Sequence, residues 1–340
     1  APAYGHHAPA YGHGHGYGYE QPKHNCSVLD VVEPADVCTP VIVTECNPVE
    51  LAIKVIEEMG GIAILSNWLS PVMSLVGLPD EMGIVWATTL LTNIYAGLLV
   101  FMNTDVQLTV AQVSVLGTLM LLAHSLPIEA AIAKKAGVSI TMTLLLRLGG
   151  GILLAWLLHH SYQYWDLLGH TANVVWSPEQ VAQQTYLEWA WVQVENLVAI
   201  FLVISALLFA LKLMKLVGVE KAMAIMLRPV LRLLGISREA TNMTIVGITL
   251  GLSFGGGLLI NEAKRGHIPA RDVFIAIMLL NLVHSMIEDT ILVLLIGADF
   301  VSIFWGRLLF GLITVAILSH TLKYVSDATC EKYFYRRVES

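Results

Sequence analysis

Two short stretches place an imidazole beside carboxylates at one cadence. LMLLAHSLPIE carries His124, Ser125 and Glu129, and LNLVHSMIED carries His284, Ser285, Glu288 and Asp289. An ionisable group inside hydrocarbon is costly unless it faces a cavity or another such group. An imidazole next to a carboxylate can carry a proton, or balance the charge of an ion, during transport. The competing reading puts these groups at helix ends near lipid headgroups, where Pro127 ends one helix and the acids cap the next. The paired histidines favour a binding site, whereas the acids alone suit either reading. Arg147 and Arg307 follow downstream and are expected to pair with the acid of the preceding segment, as structural counter-ions and not as substrate contacts.

A second set of candidates sits where apolar runs are interrupted. IVWATTLLTNIYAGLLVF contains Thr92, Asn93 and Gly97, and GLSFGGGLLINEAKRG contains Ser253, Gly255, Gly256 and Gly257. Helices broken at membrane depth expose backbone amides and carbonyls, the arrangement in which transporters bind small polar solutes and ions. Glycines in membrane helices also serve close packing, which accounts for the GGG run almost as well. Asn261 and Glu262 read as interfacial. The expected substrate-binding set is therefore Thr92, Asn93, Gly97, His124, Glu129, Ser253, Gly255, Gly256, Gly257, His284, Glu288 and Asp289.

The elements that must position these groups follow from composition and repetition. Hydrophobic residues make up 56% of the chain and charged residues 13%, with a mean hydropathy of +0.69, more apolar than one soluble core can hide. The expected class is an all-α polytopic membrane protein in contact with the lipid bilayer. The net charge of -7 points to no nucleic-acid partner. No phosphate-binding glycine loop, dinucleotide fingerprint or zinc-ligand spacing is present, so neither a cofactor nor a metal site is expected.

The chain also reads as a duplication. LSPVMSLVGLPDE from Leu69 and LRPVLRLLGISRE from Leu227 superpose Pro71 on Pro229, Gly77 on Gly235 and Glu81 on Glu239. A two-residue insertion later, His124-Ser125 falls on His284-Ser285, Glu129 on Asp289 and Arg147 on Arg307. Each unit divides at its breakers into an apolar segment (50–66; 194–217), an amphipathic one (67–77; 222–235), an interrupted one (82–102; 240–261) and two closing helices (109–126 and 138–158; 270–296 and 301–322). Lengths near twenty residues match a hydrocarbon core of about 30 Å.

Positive charge sets the sidedness. In the first unit Lys134 and Lys135 lie between the last two helices, and the connection 103–105 has no Lys or Arg. The second unit reverses this, with Lys264, Arg265 and Arg271 in its earlier connection and none in 297–299. The units therefore face opposite ways. Basic residues on both sides of 240–261 forbid a single crossing there, so this segment and its partner at 82–102 are expected to be re-entrant. Two inverted repeats result, each of about three transmembrane helices plus a re-entrant, broken helix.

Residues 1–47 belong to different physics. Their Gly, His and Tyr repeats have no apolar period and are expected to be disordered, with histidines that could bind a metal ion weakly but are more often incidental in such tails; they resemble secreted cuticle-type proteins, as in a fusion. Cys26, Cys38 and Cys46 suit no zinc site, and an oxidising compartment would allow one disulfide among them. A start at Ala1 suggests processing or a fragment. The remaining boundaries are 48–158 for repeat 1, 159–193 for an external linker without Lys or Arg, 194–322 for repeat 2, and 323–340 for a cytoplasmic tail.

Over roughly residues 53–320, LPDEMGIVWATTLLTNIYAGL, AHSLPIEAAIAKKAG, GLSFGGGLLINEAKRG and HSMIEDTILVLLIGA together resemble the bacterial nucleoside recognition, or Gate, domain membrane proteins. Relatives of that domain occur in concentrative nucleoside transporters, ferrous-iron transporter B and spore maturation proteins. The resemblance implies a multi-pass protein of a bacterial-type inner (plasma) membrane that transports a small polar solute, a nucleoside or related metabolite. Two alternatives stay open. One is a non-transporting scaffold or regulator, working as a homo-oligomer or with a membrane partner protein. The other is divalent-metal transport, against which stand a membrane core without cysteine, since Cys330 lies beyond the last helix, and the lack of a GTP-binding domain in this chain. An enzyme is not expected, because no nucleophile, base and orienter can be assembled.

Overall fold

A computed structural model describes residues 59–104, 106–174, 216–265 and 268–336, together with single positions between 191 and 213. The expected disordered extension, its cysteines and most of the segments 50–66 and 194–217 lie outside the described residues. Within the described residues the chain is all helical, with no strand beyond two isolated bridges.

The same order of elements occurs twice. In the first half α1 (Gly61–Leu75) leads to a hairpin of α2 (Met82–Leu91) and α3 (Ile94–Met102), then α4 (Val110–Leu122), α5 (Leu126–Lys135) and α6 (Ile140–Trp165). In the second, α7 (Val219–Leu233) leads to the hairpin α8 (Arg238–Leu250) and α9 (Leu252–Lys264), then α10 (Ala270–Val283), α11 (Glu288–Leu294) and α12 (Val301–Thr321). A short α13 (Asp327–Tyr333) follows. The turns match as well. Left-handed glycines precede α1 and α7 (Gly60, φ 79°; Gly218, φ 87°) and follow them (Gly77, φ 73°; Gly235, φ 82°), positions that a Cβ would strain.

Among the described residues, four stretches are long and apolar enough to cross a membrane: Val110–Lys135, Ile140–Trp165, Ala270–Leu294 and Val301–Thr321. They make this a polytopic membrane protein. The hairpin helices α2 and α3 have 10 and 9 residues, about 15 Å each at 1.5 Å per residue, roughly half a hydrocarbon core. Neither can cross alone. Their break falls at Thr92-Asn93 and that of the second hairpin at Gly251 (φ 101°), at the start of the glycine-rich stretch and not within the GGG run.

Several boundaries differ from the sequence expectation. The segments 109–126 and 270–296 are each part of a crossing that is broken midway, into α4–α5 and α10–α11. The cause is local. Ser125 and Ser285 both take up the left-handed region at φ 46°, which the i→i−4 ladder of a helix cannot absorb. The freed amides bond sideways to the neighbouring hairpin, Ser125 N–H to the Thr89 carbonyl (3.0 Å) and Met286 N–H to the Ile248 carbonyl (2.9 Å). The external linker starts later than residue 159, because α6 runs on to Trp165. The amphipathic helices begin earlier than residues 67 and 222, at the left-handed glycines.

The connections sort into two groups. The residues after α6 bond to the start of α4, with Val110 N–H on the His170 carbonyl at 3.0 Å, and Asp299 N–H reaches the Ser114 hydroxyl at 2.8 Å. In the other group, Ser139 N–H bonds to the Phe334 carbonyl (2.9 Å) and Arg336 N–H to the Gly137 carbonyl (2.7 Å). The Phe274 ring near the start of α10 packs on Phe334 and Tyr335. The chain after α12 is thus tied to the α5–α6 turn instead of trailing free.

Candidate functional site

The two breaks meet. His124 and His284 are each the fifteenth residue of their crossing stretches of 26 and 25 residues, so both sit near mid-span. Their Nε2 atoms are 3.0 Å apart, with ring centroids at 4.8 Å. Burial is nearly complete, 6% exposed for His124 and 1% for His284. Each ring is fixed by its other nitrogen: Nδ1 of His124 lies 3.0 Å from the Met120 carbonyl and Nδ1 of His284 lies 2.7 Å from that of Leu280. A carbonyl only accepts, so Nδ1 carries the hydrogen in both rings. In the neutral rings, both Nε2 lone pairs then point at one another.

Glu129 joins them, as the α5 helix restarts at Leu126 and turns the acid back toward the break. Its Oε1 is 3.2 Å from His284 Nε2 and 3.4 Å from His124 Nε2. Its Oε2 is held by Arg147 Nη1, while Arg147 Nη2 bonds to the His124 carbonyl at 2.9 Å. Arg147 is fully buried, in a π-helical turn (Leu145–Gly149) that widens α6 at this point. Two lone pairs and a carboxylate at such separations repel in a low-dielectric interior. A positive charge among them reverses the sign.

The second half is built differently. Asp289 is 3.8 Å from His124 Nε2 at its Oδ2, an atom with no hydrogen-bond partner. Arg307, expected to pair with Asp289, instead donates from Nε to the Leu282 carbonyl (2.7 Å) and from Nη2 to the His284 carbonyl (2.9 Å), and its Nη1 has no partner. The expected ion pair is therefore formed by Arg147 and not by Arg307. Aspartate is one methylene shorter than glutamate, and here neither Asp289 Oδ2 nor Arg307 Nη1 finds a partner.

The remaining candidates divide. Glu288 accepts a 2.6 Å bond from the hydroxyl of Tyr95 on α3, so the first hairpin touches the second broken helix. In the reciprocal place Gly256 of α9 lies against Ile132 of α5, where a Cβ would come within 2.8 Å of the isoleucine. Thr92 and Asn93 serve their own hairpin: the Thr92 hydroxyl returns to the Thr88 carbonyl (2.6 Å) and Asn93, exposed, caps α3 through Ala96 N–H (2.9 Å). Gly97 and Gly255 are packing positions, since a Cβ would meet the Thr89 hydroxyl and the Gly247 backbone. These four are not brought to the histidines by any contact. Ser253 lies in the first turn of α9 and Gly257 is buried in the same helix.

Three groups escaped the sequence reading. Asn281, one turn before His284, is fully buried with neither amide atom bonded, and the buried Thr290 hydroxyl is likewise unpartnered. A lone asparagine inside IMLLNLV was the available signal. Tyr95 gave none, because its partner is 193 residues away. A convergence across the two halves also lay beyond the local spacings read in the sequence. His124, Glu129 and His284 converge with one ligand atom each, which no local spacing could reveal because they come from both halves.

One curated relative matches: an uncharacterized membrane protein, YvoD, of Bacillus subtilis (strain 168). It is 23% identical over 292 residues, spanning 81% of this chain and 88% of the relative. No family model and no solved structure matches the chain.

Proposed function

We propose that this is a multi-pass transporter of a bacterial-type plasma membrane, in which two inverted halves enclose a path for a small polar solute. One observation carries the reading: two crossing helices are broken at the same mid-span position, and their histidines meet at 3.0 Å from positions 160 residues apart. Broken crossing helices with ionisable groups at the interface of two related halves are the construction of secondary transporters. The grouping of connections supports the inversion, since α4 and α10, equivalent in order, start from opposite groups. The unpartnered Asn281 amide supports a polar solute, because a buried amide left unbonded costs about 1–3 kcal/mol that a ligand can recover. A nucleoside or related metabolite is the solute class favoured by the resemblance to Gate-domain proteins.

Uptake of labelled nucleosides and nucleobases into proteoliposomes tests this. Accumulation above that of empty liposomes, reduced at least tenfold by Asn281→Leu with the protein still folded, is the expected result. A panel with no uptake in either membrane orientation, from protein that is folded and inserted, refutes it.

A further inference from the structure

We infer that His124 Nε2, His284 Nε2 and Glu129 Oε1 bind a single divalent transition-metal ion, with Asp289 as the carboxylate available for a fourth position. The inference concerns binding and stands whether or not the protein moves a solute.

The three ligand atoms are separated by 3.0, 3.2 and 3.4 Å. Ligands about 2.0–2.1 Å from a zinc-like ion lie about 2.9 Å apart at a right angle and about 3.3 Å apart at the tetrahedral angle. The triangle is therefore already that of a coordination sphere. A shared proton satisfies one pair of acceptors, whereas three near-equal separations call for a centre with several binding directions.

Each ligand is also oriented by a group that does not itself ligate. Both Nδ1–H groups are spent on backbone carbonyls, those of Met120 and Leu280, which fixes the tautomer that leaves Nε2 free. Arg147 holds the far oxygen of Glu129 and so aims the near one at the imidazoles. The unbonded Asp289 Oδ2 is 3.8 Å from His124 Nε2, within the range of a rotamer change. The carboxylates of Glu129 and Asp289 offset the guanidiniums of Arg147 and Arg307, so the cluster carries no formal excess of positive charge before an ion enters. Imidazole and carboxylate without thiolate select zinc, cobalt, manganese or ferrous iron over copper(I), and nitrogen ligands disfavour calcium and magnesium.

The test uses the full chain, purified in detergent and freed of metal by chelation, titrated with Co2+ and with Zn2+. Five histidines at His6, His7, His13, His15 and His24 precede the membrane part and are left unchanged, so the readout is a difference between proteins that share them. Wild-type protein is expected to bind one ion more per chain than His124→Ala or His284→Ala by equilibrium dialysis. Its extra Co2+ should give the intense visible bands of a four-coordinate site. Glu129→Gln should weaken that ion at least tenfold and Asp289→Asn by a smaller factor. Equal stoichiometry and spectra in wild type and the folded variants overturn the inference. Should an alanine variant fail to fold, the near-isosteric Glu129→Gln and Asp289→Asn carry the same comparison, and unchanged affinity in both overturns it equally.

Discussion

The two halves of the molecule share element order, glycine turns, a left-handed serine and a buried arginine, yet they differ at one carbon. In the first half Glu129 reaches Arg147, and the pair closes. In the second, Asp289 stops short and Arg307 turns to backbone carbonyls, leaving Asp289 Oδ2 and Arg307 Nη1 without partners. The first half thus supplies a fixed ligand and the second an uncommitted one. Two halves with the same order of elements can therefore differ in the chemistry of their acids while their architecture stays alike.

The largest expected effect comes from applying one chemical change to both halves. Glu129→Gln leaves Arg147 buried without its counter-charge and should destabilise the protein by about 3 kcal/mol. Asp289→Asn breaks no bonded pair and should cost less than about 1 kcal/mol. Thermal unfolding of the metal-free protein in detergent measures both, and equal losses would erase the distinction between the halves.

Next come the hairpins. A Cβ at Gly255 would lie 2.3 Å from the Gly247 Cα, a backbone atom, while one at Gly97 meets the Thr89 side chain. Gly255→Ala should therefore cost about 2–3 kcal/mol and Gly97→Ala less, because a side chain can rotate away and a backbone cannot. The reverse order in unfolding measurements would mean that the second hairpin is the looser one.

A smaller, opposite effect is expected from Asp289→Glu. Restoring the methylene should let the acid reach Arg307 Nη1 and raise stability by about 1 kcal/mol, making the second half resemble the first. Smallest of all is Tyr95→Phe. It removes the 2.6 Å bond to Glu288 at a half-buried position and should cost no more than about 1 kcal/mol. Loss of more than twice that would make this cross-half contact a principal support.

Much of this was legible in the sequence. Histidine, serine, acid and arginine aligning at one offset were a signal that apolar sequence does not give by chance, and the structure brings His124, His284, Glu129 and Asp289 into one cluster. Of the three crossings expected in each half, apolar runs between breakers located the two per half that fall among the described residues. The first break was marked by Pro127, but the second was not legible, because nothing in LVHSM forbids a helix; that bend depends on the left-handed serine and on the Ile248 carbonyl, a tertiary acceptor. The fate of Arg307 was hidden for a similar reason. Residue type predicts a counter-ion, but one methylene of reach decides between a carboxylate and two carbonyls. Asn93 and Thr92 were chosen by residue type, and in the structure both make local bonds within their own hairpin.

The left-handed serines have a mechanical consequence. Most breaks in membrane helices are built on glycine or proline, which bend at rest. Ser125 and Ser285, at φ 46°, hold a backbone state that costs a residue with a Cβ about 1–2 kcal/mol, so each joint is bent against its own preference and is held by an amide bond to the hairpin beside it and by a guanidinium, Arg147 or Arg307, on the carbonyl of its histidine. Such a joint behaves as a cocked spring. Withdrawal of a hairpin by a few ångströms would release the amide and leave the bend to the arginine on the preceding carbonyl. Each hairpin is thereby one of the supports that keep a crossing helix bent.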